Sequence, residues 1–101
     1  MSTIRTLDDL DGRPHANVFP DAEPKTVRLT LDEGESVPAH DHPDREVVFY
    51  LLTGAITLEL GEETHDLSAG QVARFDGDQG IAPTAREPST ALIVLAPRAD
   101  D

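Results

Sequence analysis

The chain has 101 residues, with 20 acidic side chains against 8 basic ones and a formal charge of −12, which bounds it to one small domain around a single core. Cysteine is absent, so disulfides, thiolate nucleophiles and sulfur-bound zinc are excluded and any metal must sit on nitrogen or oxygen. A field this negative repels nucleic acid, no apolar run approaches the roughly 18 residues of a membrane span, and no apolar signal core follows Arg5, so the sequence reads as a cytoplasmic protein with neither nucleic acid nor membrane as partner.

Residues 1–24 are irregular in character. Asp8-Asp9-Leu10-Asp11-Gly12 and the prolines at 14, 20 and 24 interrupt any regular run, and His15-Ala16-Asn17-Val18-Phe19 predicts a short edge strand. From Lys25 onward strand signals dominate. Val27-Arg28-Leu29-Thr30-Leu31 and Ala55-Ile56-Thr57-Leu58-Glu59-Leu60 alternate apolar and polar residues, the period of a half-buried strand. Val47 to Leu52 is continuously apolar and Ala91 to Ala96 nearly so, which suits strands covered on both sides. Turn signals at Asp32-Glu33-Gly34, Pro43-Asp44, Thr53-Gly54, Gly61-Glu62, Ala69-Gly70, Asp76-Gly77-Asp78 and Glu87-Pro88-Ser89 separate them. The prediction is an all-β sandwich or barrel over residues 25–97, without substantial helix, followed by a mobile polar tail at 98–101.

His40-Asp41-His42 follows an extended Glu35-Ser36-Val37-Pro38-Ala39 stretch. Residues two apart on a strand share a face, so the two imidazoles can converge while Asp41 faces away. Glu46 then opens an apolar strand, where a carboxylate is anomalous without a partner. His40, His42 and Glu46 together form a 2-His-1-carboxylate set suited to divalent Fe, Mn, Ni or Zn. The same His-x-His also describes packed or surface histidines, and both readings stay open on the residues alone. His65 is expected at the surface beside acidic neighbours, and His15 exposed or capping a turn. Asp76 and Asp78 read as a turn, Arg74 and Arg86 as surface ion pairs, and Tyr50 as core packing or a phenol in the cavity. No Gly-x-Ser-x-Gly elbow or phosphate-cradling glycine loop occurs.

Gly34, five residues, His40-x-His42, three residues, Glu46 and then Tyr50-Leu51-Leu52-Thr53-Gly54 resembles the first motif of the cupin superfamily. The likeness continues through Gly61-Glu62-Glu63 and Leu67-Ser68-Ala69-Gly70-Gln71-Val72, similar to the hairpin and glycine turn that open the second motif. It closes at Ala91-Leu92-Ile93-Val94-Leu95-Ala96-Pro97, so that residues 27 to 97 are covered. The resemblance implies a double-stranded β-helix, a jelly-roll barrel that is often dimeric, with metal inside. Two departures stand out. The family's fourth ligand, a histidine eleven residues after the second motif's glycine, falls on Ile81. Glu46 and Gly54 are separated by seven residues rather than the family's six. Registered on Gly54, Val47 takes the ligand position and Glu46 faces outward, because one residue of slip reverses every side chain. A bulge between Glu46 and Tyr50 would restore the glutamate.

The leading functional expectation is a barrel that binds a divalent metal ion and a small organic ligand. His40 and His42 serve as ligands, and Glu46 as a third ligand or general base. The alternative is a non-catalytic sensing or interaction module with a degenerate metal site. A homodimer is expected through apolar strand faces carrying Val47, Phe49 and Leu51. Lys25 is the only lysine beside seven arginines, and crowded carboxylates are screened within about 3 Å at molar salt. An extremely halophilic source is therefore expected.

Overall fold

A computed structural model describes residues 2–98. Of the tail expected to be mobile at 98–101, residues 99–101 lie outside the described residues, while the Arg98 N–H donates to Asp44 O at 3.0 Å and its guanidinium donates to Asp78 at 2.9 Å. Among the described residues six strands form the fold: β1 (His15–Asn17), β2 (Lys25–Leu31), β3 (Arg45–Leu60), β4 (Glu63–Ser68), β5 (Val72–Asp76) and β6 (Ile81–Pro97). The one helical element among the described residues is a 3-10 turn at Leu7–Asp9, as the alternation of the sequence and its many turn residues require.

Neighbouring strands run antiparallel in the order β1-β2-β6-β3-β4, with β5 added to β3. The two long strands β3 and β6 pair along almost their whole length, from Arg45 opposite Pro97 to Leu60 opposite Ile81. Their register shifts three times between Leu51 and Ile56. These bulges bend both strands. The 45–51 part of β3 lies between β5 and the end of β6, and the 55–60 part between β4 and the start of β6. Gly54 sits in the bend with φ +90°, and a side chain there would collide with Ser89 Oγ and the Pro88 carbonyl. Ser89 is buried, accepts from the Ala55 N–H at 3.0 Å and donates to the Glu87 carbonyl at 2.7 Å. It thereby satisfies backbone groups that the irregular register leaves unpaired.

The core lies between the two halves. Val27, Leu29 and Leu31 of β2, Val47, Phe49, Leu51, Ile56, Leu58 and Leu60 of β3, and Ala91 and Leu95 of β6 form one buried cluster, with the partly buried Ile93 packed against it; the spacing is two along each strand, broken only where the bulges of β3 separate Leu51 from Ile56. This corrects the expectation that Val47, Phe49 and Leu51 form an exposed face: they are 1%, 1% and 0% exposed. The outward positions of the same segment are Val48, Tyr50 and Leu52. Tyr50 stands opposite Val72 on β5 and Leu92 on β6, so its phenol neither packs in the core nor enters the barrel.

The outward side of β2 is covered as well. Arg28, 7% exposed, directs its guanidinium under residues 7–12. Nη1 donates to the Leu7 and Leu10 carbonyls, and Nη2 donates to Gly12 O at 2.9 Å. A planar group with five fixed donors can hold three carbonyls of an irregular segment at once, and this ties the N-terminal stretch to the barrel.

Candidate functional site

The barrel is open at one end into a cavity of about 340 Å³. The inward-facing alternation of the strands supplies its walls: Val27 from β2, Val47 and Phe49 from β3, Phe75 from β5, Ile93 and Leu95 from β6. Polar residues gather at the mouth. Lys25 continues the inward set Val27, Leu29 and Leu31 by one more step of two. His15 and Asn17 stand opposite Leu29 and Val27 across the β1–β2 pair and so share their face. His40 and His42 enter from the preceding segment, which is bridged to the start of β6: His40 N–H donates to Ile81 O at 3.2 Å and Ile81 N–H to His40 O at 2.8 Å.

His42 is held from behind. Its N–H donates to Gly77 O at 2.6 Å, and Gly77 N–H donates to Arg45 O at 2.8 Å. A Cβ on Gly77 would run into the His42 carbonyl, so the Asp76-Gly77-Asp78 turn positions a histidine of the cavity as well as reversing the chain. His40 Nδ1 lies 3.1 Å from the Pro38 carbonyl. A carbonyl only accepts, so Nδ1 carries the hydrogen and the neutral ring keeps its lone pair on Nε2. The rings of His40 and His42 meet edge to face with centroids 4.9 Å apart, and His15 meets His40 in the same manner at 6.4 Å. Partial burial, then the neighbouring His40 and Lys25, lower the pKa of both His15 and His42, with Asp41 opposing at His42. The ammonium of Lys25 therefore acts on histidines of two different segments.

The structure separates the predicted ligand set. His40 and His42 line the cavity, whereas Glu46 is on the opposite face of β3, where its Oε1 accepts from Arg74 Nη2 at 2.7 Å. The pairing of β3 with β5 and with β6 is regular from Glu46 to Tyr50. No bulge intervenes there, and Val47 takes the inward position. Ile81 also lines the cavity. Among the described residues, no three His, Asp or Glu side chains converge where a metal could be held. The residues present therefore do not fit a metal centre with three protein ligands. The remaining candidates lie outside: His65 is exposed with Nε2 3.5 Å from Glu63, Asp78 pairs with Arg98 at 2.9 Å, and Arg86 donates to the Leu67 carbonyl.

Lys25, His15 and Asn17 were not anticipated in the site. The signal for the strand-borne pair was present, since His15-x-Asn17 has the same spacing of two as His40-x-His42. Lys25 shares parity with the apolar face of its strand.

The cupin domain family model matches residues 27–95. No curated protein matches the chain. Among solved structures, KdgF from Halomonas sp. is similar at 23% identity and TM-score 0.80, covering 100% of this chain and 97% of that one. An HTH_3 family transcriptional regulator from Vibrio cholerae is similar at 21% identity and TM-score 0.75, covering 84% of this chain; the chain spans about half of the regulator, 51%. A predicted oxalate decarboxylase from Thermotoga maritima is similar at 20% identity and TM-score 0.73, covering 83% of this chain and 79% of that one. At these identities the likeness is one of fold.

Proposed function

Because the chain belongs to the cupin domain family, a fold that hosts many activities, we propose that it takes a small organic molecule into the barrel and acts as a binding or sensing module. The observation that carries this reading is the exchange of faces at β3: Val47 lines the cavity where a third metal ligand would stand, and Glu46 is paired outside with Arg74. His15, His40 and His42 line the cavity without converging as a ligand set among the described residues, and with apolar walls around them they suit direct contact with an organic ligand better than a resident metal. The cavity volume, near 340 Å³, falls in the usual range for small-molecule pockets. Elemental analysis of protein purified without chelator or histidine tag is expected to find no stoichiometric Fe, Mn, Ni or Zn. One equivalent of any of these, lost in the His40→Ala/His42→Ala double variant, would establish the metal reading instead.

We also infer a homodimer through the outer face of β3, β5 and β6, where Val48, Tyr50, Val72, Leu92 and Val94 lie side by side. Sedimentation in molar salt, with an expected mass of twice 10.9 kDa, checks this. No helix among the described residues is long and apolar enough to cross a membrane. With the charge of −12 and the single lysine, this supports a cytoplasm of high ionic strength as the working environment, without nucleic acid as a partner.

A further inference from the structure

Charge is distributed against the grain of the chain. Of its basic and imidazole side chains, the only lysine and three of the four histidines line one cavity, while no described carboxylate does so. With 20 acidic residues in 101, a surface lysine would be expected to find one. Yet Lys25 forms no ion pair with any described residue, whereas Arg13, Arg45, Arg74 and Arg98 all do. Its strand position explains this: it ends the inward face of β2, so its ammonium is directed to the mouth and away from the acidic exterior.

We propose that the cavity binds a small organic anion, a monocarboxylate with an apolar body, whose carboxylate is held at the mouth by Lys25 with Asn17 and the histidines beside it. The inference rests on the reading of the barrel as a small-molecule site and adds the class of ligand. The two ends of the cavity are chemically distinct. Lys25 offers three charged donors, Asn17 an amide, and His15 and His42 an N–H each, while His40 directs its own N–H to the Pro38 carbonyl. A charge-assisted hydrogen bond is roughly twice as strong as a neutral one. Below them Val27, Val47, Phe49, Phe75, Ile93 and Leu95 offer hydrocarbon alone. An apolar cavity of about 150 Å³ takes a benzene ring, so this one accommodates an acid of roughly ten to a dozen non-hydrogen atoms. The acidic exterior does not prevent entry in a salty medium, because screening confines its field to about 3 Å at molar salt.

The test is calorimetric titration of the full chain at neutral pH with 3-phenylpropionate, with its uncharged amide, and with acetate, which has the charge without the body. The carboxylate is expected to bind about tenfold or more tightly than the amide, consistent with a charged partner at the mouth, and acetate at least tenfold more weakly than phenylpropionate. In Lys25→Met the preference for acid over amide should fall below threefold while the amide affinity holds, which also reports that the variant is folded. Equal affinity for acid and amide, or a preference unchanged in Lys25→Met, would overturn the anion assignment and leave the small-molecule site standing. Acetate binding as tightly as phenylpropionate would overturn the apolar body. Failure of all three probes to bind would overturn both the anion assignment and the site beneath it.

Discussion

The outer surface and the cavity of this barrel are made of the same strands and follow opposite rules of charge. Outside, carboxylates crowd together and the arginines among them form exposed pairs such as Arg74–Glu46, in which the arginine side chain is 68% exposed. Inside, hydrocarbon walls lead to a lysine and imidazoles, with no carboxylate among the described residues. One residue of strand parity separates the two regimes, as Glu46 and Val47 show. Charge at the surface is cheap because water solvates it, whereas a charge at the mouth of an apolar cavity must be matched by whatever occupies the cavity.

Exchanging the two regimes at one position is the most drastic way to break the contrast. Val47→Glu would put a carboxylate beside His40 and His42, in a site that is now 1% exposed. The expected outcome is a loss of on the order of 3 to 5 kcal/mol in metal-free stability, the cost of an uncompensated buried charge, measured by denaturant unfolding. Zinc affinity should rise at least tenfold as the 2-His-1-carboxylate set is completed, measured by calorimetry.

Arginine provides the next comparison, between a covered and an uncovered guanidinium. Arg28→Ala removes the donors that hold three N-terminal carbonyls and is expected to cost about 2 to 4 kcal/mol. Arg74→Ala breaks an exposed pair and should cost no more than about 1 kcal/mol. Equal effects in urea titrations would remove the distinction between the regions.

Salt sharpens the comparison from outside. Raising KCl from about 0.1 M to about 2 M shortens the Debye length from roughly 10 Å to a few ångströms, so the melting temperature is expected to rise. Replacing several exposed carboxylates by Asn should flatten the slope. A melting temperature independent of KCl would remove the argument for a saline working environment.

The smallest effect concerns pH and belongs to the cavity. Burial, then His40 and Lys25, lower the pKa of His15 and His42 from the ordinary 6.5. The unfolded chain therefore takes up protons at a higher pH than the folded one. Stability is fully present above about pH 6.5 and is lost as pH falls through the folded values. The His15→Gln/His42→Gln variant should show a shallower decline in melting temperature between about pH 7.5 and pH 5.5 than the parent chain, since fewer groups then favour the unfolded state on protonation.

The all-β architecture was legible because alternation such as Ile56, Leu58 and Leu60, with turns at Gly61 and Gly70, admits few other arrangements. The cavity was half legible. His40 and His42 declare themselves by spacing. Glu46 was legible only as an alternative, since its side depends on whether an extra residue is absorbed before or after Tyr50, and the bulges fall after it, between Leu51 and Ile56. For Lys25 and His15 the spacing of two was legible and the place in the site was not, for a different reason. Parity tells which face a side chain takes and says nothing about which end of the barrel it reaches, and that is set by the pairing of β1 on β2 and of β2 on a strand some 60 residues away. The apolar outer face differs from the expected one by a single step of parity: Val47, Phe49 and Leu51 are core, and Val48 and Tyr50 point outward.

That distant pairing has a kinetic side. β6 is the last described strand and lies between β2 and β3, so that Val27 meets Ile93 and Leu60 meets Ile81. A ribosome-bound chain that has released everything up to Glu87 holds β2 and the 45–51 part of β3 with no strand to join them, leaving Leu29 and Phe49 without their Ala91 and Ile93 partners. Contacts of such long sequence separation close slowly, and exposed strand edges in the interval invite pairing between chains. The carboxylates that burden the finished barrel are already present on that unfinished one, so at low ionic strength their mutual repulsion opposes such pairing until β6 emerges, and molar salt removes most of that protection.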